Sequence, residues 1–366
     1  MSAGGRYLFQ FFVTKPSAKC EVTRPRHAKA SMYLFRKHYW LTAALVLTMA
    51  SCGGEATTDT VLADVFDGAA VGCLVKSNGA NAVEVGDGAY KFDAVLNEGA
   101  VAVASGCRDS DTQALLPKLS GVILSGAVVI SPITTLIVKA ALAKDVAAGA
   151  NSADLRAGVV GISAVELEAA TTSIVANLSL GDYQPTNSDT ANYIAVAKAD
   201  STGTGTAAVA MRASLAISSM LKSLEVSADS ENATAAVSVV SQAIAESASV
   251  VDLTQPTHTK LVLDSAQSIA TAKSMAPEVA TSIQVAADAI ATSVALISGA
   301  SGEITIAIAA TTTVAKFLNT ADATTVSDQA EIIKLTNDVE AAIFPAVEAA
   351  APVCEIGSAN LGGCTF

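Results

Sequence analysis

Few side chains in this sequence have both the type and the spacing for chemistry, and each competes with a plainer reading. His258, in Gln-Pro-Thr-His-Thr-Lys, has Asp252 and Asp264 close by in sequence, so the reaction it would support is Ser-His-Asp hydrolysis. No Gly-x-Ser-x-Gly elbow accompanies it, and a surface histidine in an interhelix loop is the preferred reading. Asp109-Ser110-Asp111 sets out alternate carboxylates, which could begin a calcium loop. No glycine-containing acidic continuation or bidentate Glu follows at the required distance, so a polar turn is preferred. Asp67-Gly68 and Asp87-Gly88 read as turn dipeptides. Gly203 and Gly205, in Ser-Thr-Gly-Thr-Gly-Thr, have the look of a phosphate loop but lack its lysine, and read as a flexible link. There is no Walker A sequence and no HExxH. The expectation is no catalytic residue, no cofactor, no metal site beyond the weak calcium candidate Asp109/Asp111, and no enzyme.

The cysteines say more. Past Cys52 there are four: Cys73, Cys107, Cys354 and Cys364. An even number in an exported chain fits two disulfides, with three pairings open. Local pairing, Cys73 with Cys107 and Cys354 with Cys364, is preferred because each pair lies within one compositional block. No CxxC occurs, and the only histidine after the leader is His258, so a Cys/His zinc site is not expected.

Export itself is read from Met32 to Cys52. Arg36, Lys37 and His38 form a basic cluster, an uncharged run from Tyr39 to Ala50 follows, and small residues lead to a cysteine. That order is a secretory signal peptide, with an apolar stretch too short to cross a bilayer. Met49-Ala50-Ser51-Cys52 resembles the lipobox of bacterial lipoproteins, with Met where Leu is usual. The resemblance implies that Cys52 is lipidated and becomes the first residue of the mature chain. Gly53 follows in place of an acidic residue, which in such lipoproteins implies the outer membrane or cell surface.

Composition agrees with a packed, exported chain. Residues 52–366 carry 33 acidic and 14 basic side chains, a net of −19, against −12 for the whole sequence. Such acidity repels nucleic acid and anionic lipid headgroups, so no nucleic-acid partner is expected. Ala, Ser, Thr and Val dominate without a charge-dense low-complexity run, which favours a largely helical folded chain.

The elements that would position these residues fall into blocks. Residues 1–31 read as a non-native upstream extension, with an organellar transit peptide as the rival, and 32–51 as the signal. Residues 52–60 are a tether. From 61 to 130, short apolar runs alternate with Gly, Asn and Asp; Val71–Lys76, Ala89–Phe92 and Val101–Ser105 read as strands of a small antiparallel, β-sandwich-like domain. A Cys73–Cys107 bridge would staple it. The uncharged run from Leu119 to Val138 is long enough to span a membrane, but Gly121, Gly126 and Pro132 interrupt it. It reads instead as a buried strand, Ala127–Ile130, with Ser131 capping a helix that Pro132 begins. Residues 131–350 read as an Ala-rich helical bundle. Within it Ser163 and Glu166 have capping-box spacing, and Val209, Leu215, Ile217, Met220, Leu221 and Leu224 recur at helical intervals. Residues 351–366 read as a tail closed by Cys354 and Cys364. The fold class expected is α+β, with a small β-domain followed by a larger helical bundle.

Two stretches carry a further resemblance. Val101-Ala-Val-Ala-Ser-Gly-Cys-Arg-Asp-Ser-Asp-Thr-Gln113 and Val128-Val-Ile-Ser-Pro-Ile-Thr-Thr-Leu136 resemble a module of bacterial surface proteins and lipoproteins. In it a carboxypeptidase-regulatory-like β-domain ends in a G-x-D-x-x-T-G turn, and a V-V-S-P-L-T-T-L segment opens an Ala-rich helical region. Leu178-Ser-Leu-Gly-Asp-Tyr-Gln-Pro185 is similar to a further element of these proteins, with Asp182 before Tyr183 instead of after it. The resemblance implies a cell-envelope surface protein and brings no catalytic residues. The function expected is a lipid-anchored, non-catalytic structural, adhesion or scaffold role with a protein or glycan partner. The alternatives are a module that binds a glycan, peptide or apolar small molecule, and, third, a hydrolase using His258.

Overall fold

The structure is a computed structural model of the chain. It describes residues 60–350 apart from 68–69, 87, 111, 144–160, 187–192, 301 and 303. The first described region is all β: β1 (Val61–Val65), β2 (Ala70–Val71), β3 (Leu74–Ser77), β4 (Ala80–Gly86), β5 (Ala89–Phe92), β6 (Val101–Ser105), β7 (Arg108–Asp109), β8 (Leu119–Leu124) and β9 (Ala127–Ile130). Ten helical segments follow among the described residues: α1 (Pro132–Ala143), α2 (Ala164–Asn177), α3 (Tyr193–Ala199), α4 (Thr206–Ser227), α5 (Ser230–Ala245), α6 (Pro256–Ala272), α7 (Pro277–Ser298), α8 (Ile304–Thr320), α9 (Ala323–Ser327) and α10 (Gln329–Ala350). The α+β reading holds: a β region precedes a larger helical bundle.

The β region corrects the expectation of an antiparallel sandwich. Seven strands close into a barrel in the order β1-β5-β4-β3-β6-β8-β9, and β9 returns to β1 in parallel, Leu62 opposite Ala127 and Val65 opposite Ile130. The six other neighbouring pairs are antiparallel. An odd number of strands cannot alternate direction all the way round a closed barrel, so at least one junction must be parallel. Here the first strand meets the last. Closure also leaves no open sheet edge.

Short turns set the register. Asn78-Gly79 joins β3 to β4 with both residues at positive φ, and Ser125-Gly126 does the same between β8 and β9. This is the two-residue hairpin geometry that Asn-Gly favours. Alternate residues of β1 (Val61, Ala63, Val65) and β5 (Tyr90, Phe92) fill the barrel. β8 and β9 are buried on both faces, because α1 packs on them from outside. Gly121 in β8 is required there, since a Cβ would collide with the Val129 carbonyl. β2 and β7 form a separate two-stranded ribbon beside the Cys73–Cys107 disulfide. The Tyr90 hydroxyl tethers this corner, accepting from the Cys73 N–H at 2.9 Å and donating to the Ala70 carbonyl at 3.2 Å.

The junction of barrel and bundle is built from Ser-Pro-Ile-Thr-Thr-Leu. Ser131 Oγ accepts from the Thr134 N–H (3.1 Å), and Thr134 Oγ1 accepts from the Ser131 N–H (2.7 Å), a reciprocal cap at the start of α1. Thr134 Oγ1 donates to the Ser120 carbonyl at 2.9 Å, and Thr135 Oγ1 accepts from the Ser120 N–H at 2.8 Å. The cap therefore also stitches α1 to β8. In the Leu119–Val138 run, Ala127–Ile130 is the expected strand and Pro132 begins the expected helix, while β8 is a further strand that the sequence reading did not place.

Helix starts follow local chemistry. Ser163 and Glu166 form a capping box on α2, Asp229 caps α5, and Pro256 and Pro277 occupy the first turns of α6 and α7. α7 is the one described helix long and apolar enough to cross a membrane; half of its most apolar window is buried within the bundle. Ala and Ser on α4, α5 and α7 allow close packing, and Ser223 and Ser241 return their hydroxyls to carbonyls one turn back. One continuous cluster of buried apolar side chains runs from the barrel into the bundle.

Candidate functional site

The residues singled out for chemistry are mostly consumed by structure. His258 is exposed, and its Nδ1 accepts from the Asp252 N–H at 3.3 Å. The Asp252 carboxylate accepts from the Thr254 hydroxyl (2.7 Å) and N–H (2.9 Å), which hold its pKa below the ordinary value. The arrangement folds the loop before α6. The Gly203/Gly205 loop is neither a phosphate cradle nor a loose link. Asp200 takes its N–H groups, from Gly203 at 3.1 Å and Gly205 at 2.7 Å, and the Thr202 hydroxyl at 2.7 Å. Those bonds hold the Asp200 carboxyl down to about 2. Arg212 closes the loop from behind through the Gly203 and Gly302 carbonyls.

Of the cysteines, Cys73 and Cys107 are disulfide-bonded, 34 residues apart. Cys52, Cys354, Cys364 and the whole signal lie outside the described residues, as does Asp111 of the calcium candidate. Its partner Asp109 is described, in β7, buried, with Oδ1 accepting from the Thr112 N–H at 2.6 Å. That is the geometry of a polar turn. Among the described residues, no cluster of three or more His, Cys, Asp or Glu side chains could hold a metal.

Asp109 does not stand alone. It faces a second buried carboxyl, Asp67, which the sequence offered only as half of a turn dipeptide. Asp67 lies two residues past the end of β1, where the preceding Phe66 N–H is tied to the Ile130 carbonyl at 2.8 Å, so the end of the barrel pins it. It is 2% exposed, and its Oδ1 has no hydrogen-bond partner. Burial pushes the Asp67 pKa well above the usual carboxylate range, and the nearby Asp109 charge adds to this; a hydrogen bond from Ser218 opposes both.

The two acids line a cavity between the barrel end and the bundle. α4 brings Ser218, Ser219 and Lys222 to it, and α8 brings Thr311, Val314 and Leu318. The segment after β7 contributes Leu115, Leu116 and Pro117. The hollow is open to solvent and small, with a cavity volume of about 30 Å³. That is room for a small head group, not a bulky ligand. Ser219 Oγ, in a residue 6% exposed, is also without a partner. Lys222, which also lines the cavity, is paired at 3.5 Å with Glu225, whose other oxygen accepts the Lys118 N–H at 2.7 Å. The cavity thus presents hydrogen-bond acceptors among aliphatic walls. No family model, curated protein or solved structure matches the chain.

Proposed function

We propose that this chain is an exported cell-envelope protein, anchored to a membrane through a lipid on Cys52, with a non-catalytic structural, adhesion or scaffold role. The observation that carries the reading is the Cys73–Cys107 disulfide. Bridges of this kind persist in oxidising compartments and are rare in a reducing cytosol. The order of residues from Met32 to Cys52 supplies the route of export and the anchor. The β region followed by Ala-rich helices supports kinship with the surface lipoproteins that the Ser-Pro-Ile-Thr-Thr-Leu stretch resembles, and with them outer-membrane or cell-surface location. A second reading, a lipoprotein that binds a small ligand, is favoured by the cavity at Asp67.

The test is intact mass and N-terminal analysis of membrane-extracted protein, with and without reduction. The expected result is a chain beginning at acylated Cys52 that gains about two hydrogens for each bridge reduced. An unlipidated chain that retains residues 1–51 and carries free thiols at Cys73 and Cys107 overturns the proposal.

A further inference from the structure

We propose that the cavity between the barrel and the bundle binds a primary ammonium group carried on a short aliphatic stem. Two acceptors that line the cavity from different elements, Asp67 Oδ1 after β1 and Ser219 Oγ on α4, are buried and unpartnered. Leaving such atoms without a donor is costly, and a buried carboxylate without a counter-charge more so. An ammonium supplies three N–H donors and a positive charge to this floor. The walls select the rest of the ligand: Leu116, Val314 and Leu318 offer a hydrocarbon lining that suits methylene groups. A hard divalent cation fits less well, since it takes six or more oxygens and the described lining has only two carboxylates.

The proton is the competing occupant. With the cavity empty, Asp67 satisfies its surroundings by staying protonated; an entering ammonium displaces that proton to solvent and meets the carboxylate. The other charged groups lining the cavity are Asp109 from β7, whose charge acts on Asp67, and Lys222 from α4, which is paired with Glu225; α8 contributes no titratable side chain to the lining. Binding therefore tightens with rising pH, by up to about tenfold per unit while Asp67 is protonated. The site does not depend on where in the cell the chain resides.

The experiment titrates the full chain with n-butylammonium chloride between about pH 5 and 8, at matched ionic strength, following the melting midpoint and the heat of binding. Tetramethylammonium, which has no N–H donor, and calcium chloride are the comparison arms. The expected result is saturable stabilisation by n-butylammonium alone, growing with pH, weakened at least about tenfold in Asp67→Asn and by a smaller factor in Ser219→Ala. No saturable shift at any pH overturns the assignment, as does a shift that survives Asp67→Asn. A response to calcium in place of n-butylammonium also overturns it and marks a metal site. If Asp67→Asn does not fold, Ser219→Ala decides, and an unchanged affinity there is equally fatal.

Discussion

Thr134→Val tests whether the Ser-Pro-Ile-Thr-Thr-Leu cap holds barrel and bundle together. The substitution keeps the shape of the side chain and replaces its hydroxyl by a methyl. Thr134 is 2% exposed, so water cannot take over the lost bonds. The Ser131 N–H loses its acceptor at 2.7 Å and becomes a stranded buried donor. The Ser120 carbonyl loses its donor at 2.9 Å, and the Thr135 hydroxyl 3.4 Å away directs its single proton to the Ser131 carbonyl at 2.7 Å. A stranded buried group costs roughly 1–3 kcal/mol and a further lost bond about 1, so the expected destabilisation is about 2–4 kcal/mol. Thr313→Val is the matched control. Its hydroxyl bonds only the Ala309 carbonyl within α8, at 3.3 Å, an acceptor the helix already uses, and its loss is expected to cost no more than about 0.5 kcal/mol. Urea unfolding followed by circular dichroism gives both numbers, and the midpoint should fall for Thr134→Val with the slope unchanged. If Thr134→Val costs no more than Thr313→Val, the cap does not join the two regions.

Two further predictions concern the barrel corner and the buried acid. Replacing Cys73 and Cys107 together by serine opens a loop of 34 residues, and chain-entropy reasoning gives a loss of about 4 kcal/mol, read as a lower urea midpoint; an unchanged midpoint would mean that the bridge adds no stability. Asp67 makes stability depend on pH in a definite direction. Unfolded, its carboxyl ionises near the ordinary value of about 3.9; folded, its pKa is raised well above that by burial first and by Asp109 second. The folded state therefore holds the extra proton, and Asp67's contribution is fully present below the unfolded pKa and lost as pH rises through the folded one, at up to about 1.4 kcal/mol per unit. Asp67→Asn removes that loss, so the stability difference between variant and wild type should climb with pH above about 4 in parallel urea titrations. A flat difference refutes the buried-acid assignment.

Much of the secondary structure was legible because its causes are local. Ser163 and Glu166 announced the start of α2, Pro277 that of α7, and Ser131-Pro132 that of α1, each through groups within one helical turn. Ala89–Phe92 and Val101–Ser105 are strands with the expected ends, whereas the expected strand Val71–Lys76 is broken at Gly72, whose positive φ separates β2 from β3. The closure of β1 on β9 was not legible. Those strands lie more than sixty residues apart, and nothing in either says which neighbour it takes or in which direction. The same holds for the Gly203/Gly205 loop: Asp200 and Arg212 flank it in the sequence, but only the folded chain turns both onto its backbone.

The cavity was illegible for a deeper reason, which bears on how the resemblance should be used. The Ser-Pro-Ile-Thr-Thr-Leu stretch is the most distinctive in the chain, and its three hydroxyls are spent on the cap of α1 and its junction with β8. Its distinctiveness reports a folding constraint, not a site. Asp109 and Thr112 are likewise spent on their own turn. What the fold leaves unspent in the cavity lining is Asp67 Oδ1 and Ser219 Oγ, more than 150 residues apart in unremarkable local sequence. Neither belongs to a motif, because a lone Asp before a Gly and a serine on an Ala-rich helix are each common. They become a candidate site only when barrel and bundle meet and water is excluded from both. In this chain the recognisable sequence marks what must fold, and the chemistry open to a ligand lies where recognisable sequence is absent.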